Sequence, residues 1–273
     1  MKKIIATVLV FMLLPLNGAT VSAVLFAPGD PGINIGTNLD RGYEPSGIVW
    51  HNRLQSLFLV WDNGYVTQMD AQGSILHPSV FVGGDLEGIT AADEQSDYLY
   101  LLEEYPQKIV EFDTSTWAKT GKSWVLQRMA GNASSGAEAL TYNRANNLFY
   151  VGSQFDGQIY AYQIDLNASG AVAPTKVIAT GVGSDLAGLS YYPDTQRVYA
   201  VFDAANRIQE YDQNDALVVQ YDLPGTDQEG VTFLPGGCPN NVATLIIAQD
   251  SGAVMKYGSY PVTCPAPVPP PAP

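Results

Sequence analysis

The chain has 273 residues, of which 27 are acidic and 13 are Lys or Arg, and its formal net charge is −14. This excess of negative charge makes nucleic acids and anionic lipid surfaces poor partners. Two histidines and two cysteines leave little material for zinc, imidazole-based or dithiol chemistry.

The N-terminal 23 residues predict a secretory signal peptide. Lys2 and Lys3 precede an apolar run over residues 4–16, and Ala23 ends a small-residue cleavage site. The alternative, a retained membrane anchor, is disfavoured because the run is short and no basic flank follows it. We therefore expect cleavage after Ala23, a periplasmic or secreted protein with no stable membrane insertion, and a net charge of −16 from 27 acidic and 11 basic side chains.

The predicted export to an oxidising compartment favours a disulfide between the two cysteines. Cys238 and Cys264 are the whole cysteine content of the chain. A pair of cysteines in an exported protein forms a disulfide by default. We therefore predict a bridge between them.

A short phrase recurs along the chain at intervals of roughly 41 to 51 residues. In its clearest copy Asp185 stands three positions before Gly188, an apolar strand follows, and Asp203 comes fifteen positions after the glycine. The copies begin at Glu44, Asp85, Gly136, Asp185 and Asp227. Each copy is too short to bury a core alone, so the copies must stack.

The residues between the phrases alternate in Val, Ile, Leu, Tyr and Phe over four to seven positions, with turn residues about every ten. This pattern predicts an all-β protein with four strands in each copy. The fifth copy lacks an outer strand, and residues 24–43 can supply it. We therefore predict a five-bladed β-propeller over residues 24–262, closed by an N-terminal strand. A six-bladed propeller is the alternative if residues 24–43 and 114–135 hold more strands.

Residues 263–273 form a proline-rich tail that cannot join a β-ladder. A polyproline-type extended end is expected. The alternative is a docking peptide for a partner.

The propeller geometry brings the phrases together at one mouth of the central channel, because the first strand of each blade starts where the second one ends. Acidic residues at the first and third positions of the phrase are the candidate metal ligands: Glu44, Asp85, Glu87, Glu138, Asp185, Asp227 and Glu229. Polar residues at the ends of the second strands form a second candidate ring at the same mouth: Asp62, Glu103, Gln154, Asp203 and Gln249. Glu104 and Asp250 lie next to this ring.

Clustered carboxylates must either take up protons or bind a cation. Calcium is the cation predicted here, since it accepts six to eight oxygen ligands at flexible geometry. The alternative is that each acid caps its own turn by accepting hydrogen bonds from the backbone.

The recurring phrases resemble those of a known family. Four copies carry the resemblance: Glu44-Pro45-Ser46-Gly47-Ile48, Asp85-Leu86-Glu87-Gly88-Ile89, Asp185-Leu186-Ala187-Gly188-Leu189 and Asp227-Gln228-Glu229-Gly230-Val231. Over residues 42–257 the chain is similar to the SdiA-regulated family of exported bacterial β-propellers, neighbours of the phytase-like esterase propellers. The resemblance implies a propeller, the Gram-negative envelope and a calcium site, and fixes no activity. The third copy departs from the pattern with Gly136 and Ala139, which puts that blade's part in a central site in doubt.

Two functions follow from this sequence. The first is an exported binding module, stabilised by calcium, whose acidic face receives a small molecule or a protein. The second is a calcium-dependent hydrolase of a phosphoester, lactone or other ester, with Glu87 or Glu229 as general base. Phosphate sites usually need Arg or Lys, and the phrases place neither at this mouth, so we favour the binding module. We expect a monomer, and the sequence does not name the ligand.

Overall fold

The computed structural model describes residues 24–265 apart from Pro28, Ala133 and Pro239. The predicted signal peptide and the tail from residue 266 onward lie outside the described residues. All regular elements within the described range are β-strands, and they form five sheets. No helix in that range is long and apolar enough to cross a membrane.

The described part of the chain starts with two short strands, and the first blade follows them. The opening strands are β1 (Val24–Leu25) and β2 (Ile33–Asn34). Blade 1 is the antiparallel sheet of β3 (Pro45–His51), β4 (Ser56–Trp61), β5 (Tyr65–Met69) and β6 (Ile75–Phe81).

Blades 2 and 3 follow, and one short strand from the blade 3 segment pairs with the edge of blade 2. Blade 2 holds β7 (Leu86–Thr90), β8 (Tyr98–Glu103), β9 (Lys108–Asp113) and β10 (Ala118–Leu126). Blade 3 holds β11 (Ala137–Asn143), β12 (Leu148–Ser153), β13 (Ile159–Tyr162) and β15 (Lys176–Ile178). Between its last two strands the chain crosses back, and β14 (Gly170–Val172) pairs in parallel with the outer strand of blade 2.

Blades 4 and 5 complete the ring. Blade 4 holds β16 (Leu186–Tyr192), β17 (Arg197–Phe202), β18 (Arg207–Tyr211) and β19 (Leu217–Asp222), with β1 in parallel along its outer edge. Blade 5 holds β20 (Gln228–Leu234), β21 (Val242–Gln249) and β22 (Val254–Pro261). Its fourth strand is β2, in which Ile33 pairs antiparallel with Lys256. The predicted five-bladed propeller and its closure by an N-terminal strand are thus confirmed.

The five inner strands approach one another closely around the channel. A Cβ atom added at Gly188 would lie 2.2 Å from the carbonyl oxygen of Glu229, and one at Gly88 would lie 2.7 Å from the Cβ of Leu140. The glycine of the phrase is therefore required by lack of space. The third copy has Ala139 there, and Gly152 on the neighbouring strand makes the room, since a Cβ at Gly152 would lie 2.9 Å from that of Ala139.

These glycines narrow the channel to a waist. The cavity at this level has a volume of only about 10 Å³. About 10–15 Å³ is needed to hold one water molecule. The two mouths of the channel are therefore separate spaces.

The predicted disulfide is confirmed. Cys238, in the turn after β20, is bonded to Cys264, which follows β22. The bridge ties the last blade to the end of the described chain.

Candidate metal centre at the acidic mouth

Each inner strand begins with a break in pairing at the phrase. In blade 2, Leu86 pairs with Glu103 and Gly88 with Leu102, which leaves Glu87 without a partner in the ladder. The same register shift occurs at the start of the other four inner strands. A β-bulge of this kind turns its extra side chain away from the regular alternation. The bulge residues are Ser46, Glu87, Glu138 and Ala187, and in blade 5 the break spans Glu229 and Gly230.

Three carboxylates of blade 2 converge at the acidic mouth. Asp85 precedes the bulge, Glu87 is the bulge residue, and Glu104 follows the end of β8. Each offers an oxygen atom within 4.8 Å of the other two. We call Asp85, Glu87 and Glu104 the carboxylate cluster.

Glu138 of blade 3 faces the carboxylate cluster. Its side chain is 9% exposed. Gln154 donates a hydrogen bond of 3.1 Å to its Oε1 atom. Its buried Oε2 atom has no hydrogen-bond partner among the described residues. A buried carboxylate oxygen without a partner is costly unless a proton or cation completes its surroundings.

The electrostatics of Glu87, Glu104 and Glu138 agree with this arrangement. Burial raises the pKa of Glu87, and the neighbouring charges of Glu138 and Asp85 raise it further. Burial likewise raises the pKa of Glu138, with contributions from Glu104 and Asp85. The pKa of Glu104 is also raised, although the backbone N–H of Gly136 donates to it at 2.9 Å. The raised pKa values favour the protonated forms of Glu87, Glu104 and Glu138, and binding of a divalent cation would displace those protons.

The acids of blade 4 bond to the backbone. Asp185 accepts a hydrogen bond of 2.6 Å from the N–H of Ala204, within its own blade. Asp203 accepts one of 2.9 Å from the N–H of Gln228, across to blade 5. At these two positions the carboxylates cap turns and join blades, which is the alternative role that the sequence left open.

Glu229 and Asp250 form a further acidic pair on the blade 5 side. Burial and the charge of Asp250 raise the pKa of Glu229 to about 9. Partial burial, followed by the charges of Glu44 and Asp62, raises the pKa of Asp250 to about 6.

The remaining predicted residues are placed as follows. Glu44 and Asp227 are exposed at the mouth, and Gln249 is buried. Burial raises the pKa of Asp62, whose buried Oδ1 atom has no hydrogen-bond partner in the described part of the chain. Glu103 instead binds the ammonium groups of Lys108 and Lys119, each at 2.9 Å.

The spacing of the repeat predicted Glu103 at the acidic mouth, and the structure has Glu104 beside Asp85 and Glu87 instead. The sequence offered a partial signal, since Glu104 is the next residue along the chain. The choice between the two depends on Lys119, which comes from the outer strand β10 and donates to Glu103.

The fold and this mouth define an all-β, five-bladed propeller with an acidic, partly buried centre. No family model and no curated protein matches the chain. The likeness of its phrases to the SdiA-regulated family therefore stays a prediction.

One solved structure with a similar fold is the glutaminyl cyclase of Myxococcus xanthus. The TM-score is 0.61 at 12% sequence identity, over 82% of this chain and 94% of that one. At this identity the likeness concerns the fold alone.

Proposed function

We propose that this protein is an exported propeller that binds calcium at its acidic mouth and presents that face to a ligand or partner. The observation that carries the proposal is the carboxylate cluster with Glu138 beside it. Carboxylates of this kind, mono- or bidentate, are the ligands that calcium prefers. The relation to the SdiA-regulated family, with its envelope location, is part of the proposal.

The residues present fit a calcium ion. Asp85, Glu87 and Glu104 can supply three oxygens to one point, and the unpaired Oε2 of Glu138 can supply another. When bound, the ion would neutralise the negative charge of these acids, which otherwise repel one another in the folded chain. The chain's own part is to hold these oxygens close together through the bulge of β7 and the end of β8.

Thermal unfolding with added calcium tests the proposal. Calcium at concentrations above its dissociation constant raises the Tm, because the ion binds the folded chain and not the unfolded one. A chelator reverses the change. The double substitution of Glu87→Gln and Glu104→Gln abolishes the calcium response and raises the Tm of the metal-free protein by relieving repulsion.

The matched control is Glu44→Gln, which removes an exposed carboxylate from the same face. This variant keeps the full calcium response. A wild-type Tm that does not change with calcium would overturn the metal site, and with it any calcium-dependent hydrolase activity.

A second candidate function is acid–base catalysis at the same mouth, and Glu229 with Asp250 favours it. Two interacting acids with pKa values of about 9 and about 6 suit a general acid and a general base, respectively. The substrates to test are phosphoesters, lactones and peptides with N-terminal glutamine, the last because the glutaminyl cyclase shares the fold. Turnover that Glu229→Gln and Asp250→Asn both abolish would support catalysis; no turnover of any of them favours the binding module.

A further inference from the structure

The opposite mouth of the channel holds a recess built by all five blades. Its accessible volume is about 60 Å³. The inner strands contribute residues on the far side of the glycine waist, and the turns after them form the rim. None of the acidic mouth's carboxylates reaches it.

A ring of hydroxyl groups lines the wall of this recess. The Oγ1 atoms of Thr232, Thr90 and Thr141 accept hydrogen bonds from backbone N–H groups of the following blades, at 3.1, 3.0 and 2.8 Å. Each hydroxyl therefore has its own hydrogen left to donate. No acceptor for these hydrogens occurs among the described residues.

Four blades carry an aromatic side chain at the same position, three residues after the phrase's fourth position, and that of blade 5, Phe233, is buried. Trp50, Tyr142 and Tyr191 are half-buried and line the recess. Trp50 is oriented by a hydrogen bond of 2.8 Å from its Nε1 to Asn52. The hydroxyl of Tyr142 donates to Asn147 at 3.1 Å, whereas that of Tyr191 has no partner among the described residues.

Arg144 is the cation of the recess. It forms an ion pair with Glu94, whose other oxygen accepts a hydrogen bond of 2.6 Å from Asn52. Burial raises the pKa of Tyr142 and of Tyr191, and the charge of Arg144 opposes both shifts. Arg144 and both tyrosines line the recess. A guanidinium has five N–H groups, and Glu94 engages only part of them.

The carboxylates of the recess accept hydrogen bonds from the protein. Glu94 is held by Arg144 and Asn52. Asp194 accepts hydrogen bonds from the hydroxyl of Tyr192 and from the backbone N–H groups of Gly236 and Gly237, at 2.9 to 3.0 Å. All three bonds to Asp194 are made by its Oδ2 atom, whereas both oxygens of Glu94 are engaged. The spare donors of the recess are therefore Arg144, Tyr191 and the threonine hydroxyls.

We propose that this recess binds a small organic carboxylate. Arg144, the Tyr191 hydroxyl and the threonine hydroxyls would donate to the carboxylate oxygens, and Trp50 and Tyr142 would cover the apolar body. Hydrogen bonds from guanidinium to carboxylate are the strong, charge-assisted kind. The volume corresponds to about four to six water molecules, so the ligand has the size of propionate.

Isothermal titration calorimetry with three probes of similar length tests the site: sodium propionate, propylammonium chloride and propanol. Saturable binding of propionate at one site, with neither of the others binding, is the expected result. Arg144→Gln abolishes it. Tyr191→Phe, which loses one hydroxyl, weakens it at least about tenfold, the value of one hydrogen bond to a charged group.

Arg53→Gln is the matched control. Arg53 lies on the same rim and is paired with Asp97 and the carbonyl of Ser96, so its loss leaves propionate binding unchanged. If Arg144→Gln fails to fold, as judged by circular dichroism, the Tyr191→Phe result decides. Preference for propylammonium, undiminished binding in both variants, or no binding of propionate at millimolar concentration would each overturn the proposal.

Discussion

The bulge residue at the start of each inner strand sets the character of its blade at the acidic mouth. Glu87 and Glu138 place two buried carboxylates side by side, and Glu229 adds a partly buried one on the blade 5 side. In the other two blades the bulge residue is Ser46 or Ala187, which carries no charge. One backbone irregularity, repeated five times, therefore yields an uneven distribution of acid around one channel.

The raised pKa of Glu229 predicts how stability depends on pH. Its pKa is about 9 in the folded chain against 4.5 for an ordinary glutamate, so the folded state binds more protons between these values. The free energy of unfolding of the chelator-treated protein therefore falls as pH rises through this window, by at most about 1.4 kcal/mol per pH unit for this group.

Urea unfolding at a series of pH values measures this slope. Glu229→Gln reduces it, because the amide does not titrate, whereas Glu44→Gln, exposed on the same face, leaves it unchanged. Equal slopes in the wild type and in Glu229→Gln would contradict the prediction.

The close approach of the inner strands makes Gly188 sensitive to a single methyl group. Gly188→Ala lowers the free energy of unfolding by about 1–3 kcal/mol, because the new Cβ would lie 2.2 Å from a backbone oxygen that cannot move freely. Gly258→Ala is the control, since nothing lies within 4 Å of its added Cβ. Chemical denaturation of the two variants should separate them clearly; equal effects would show that the waist can relax.

At the scale of residues, spacing alone predicted which acids share a mouth, because the repeat fixes which strand end each one occupies. It could not predict the bulges, which depend on pairing with the second strand. Spacing also could not predict that Lys119 binds Glu103 and so keeps it out of the carboxylate cluster, because that contact joins two strands that are not neighbours in the sheet.

At the scale of elements, the N-terminal strand decides whether the ring closes. The position of β2 was predictable because blade 5 lacked an outer strand and the preceding residues were too few for a blade. The parallel strands β1 and β14 were not predictable. They have two and three residues, too few to show alternation, and their partners are distant in sequence.

Deleting residues 24–34 removes β2 and exposes the edge of β22. We expect a sharply lower Tm and aggregation, since an unpaired edge strand is a template for pairing with other chains. Deleting residues 24 and 25 alone removes β1 from an already four-stranded blade and has a smaller effect. Size-exclusion chromatography and thermal unfolding of both proteins check this; a monomeric longer deletion with unchanged Tm would mean that β2 is dispensable.

At the scale of the whole molecule, the disulfide supplements the closure. The two cysteines are 26 residues apart, and a loop of this length predicts a stabilisation of about 3–4 kcal/mol from the lost freedom of the unfolded chain. The double substitution of Cys238→Ser and Cys264→Ser should lower the free energy of unfolding by about that amount. An unchanged value would contradict this, and mass spectrometry of the wild type should detect no free thiol.

The glycine waist has a consequence for how such a protein can change. Nothing larger than a water molecule fits between the two mouths of the channel. Side chains at one mouth can therefore be substituted without changing the side chains that line the other. During evolution a related protein could lose the carboxylates of the acidic mouth and keep the recess. It could equally lose Arg144 from the recess and keep the carboxylates. The molecule therefore carries two separate candidate sites on one scaffold, and its axis is not a continuous channel.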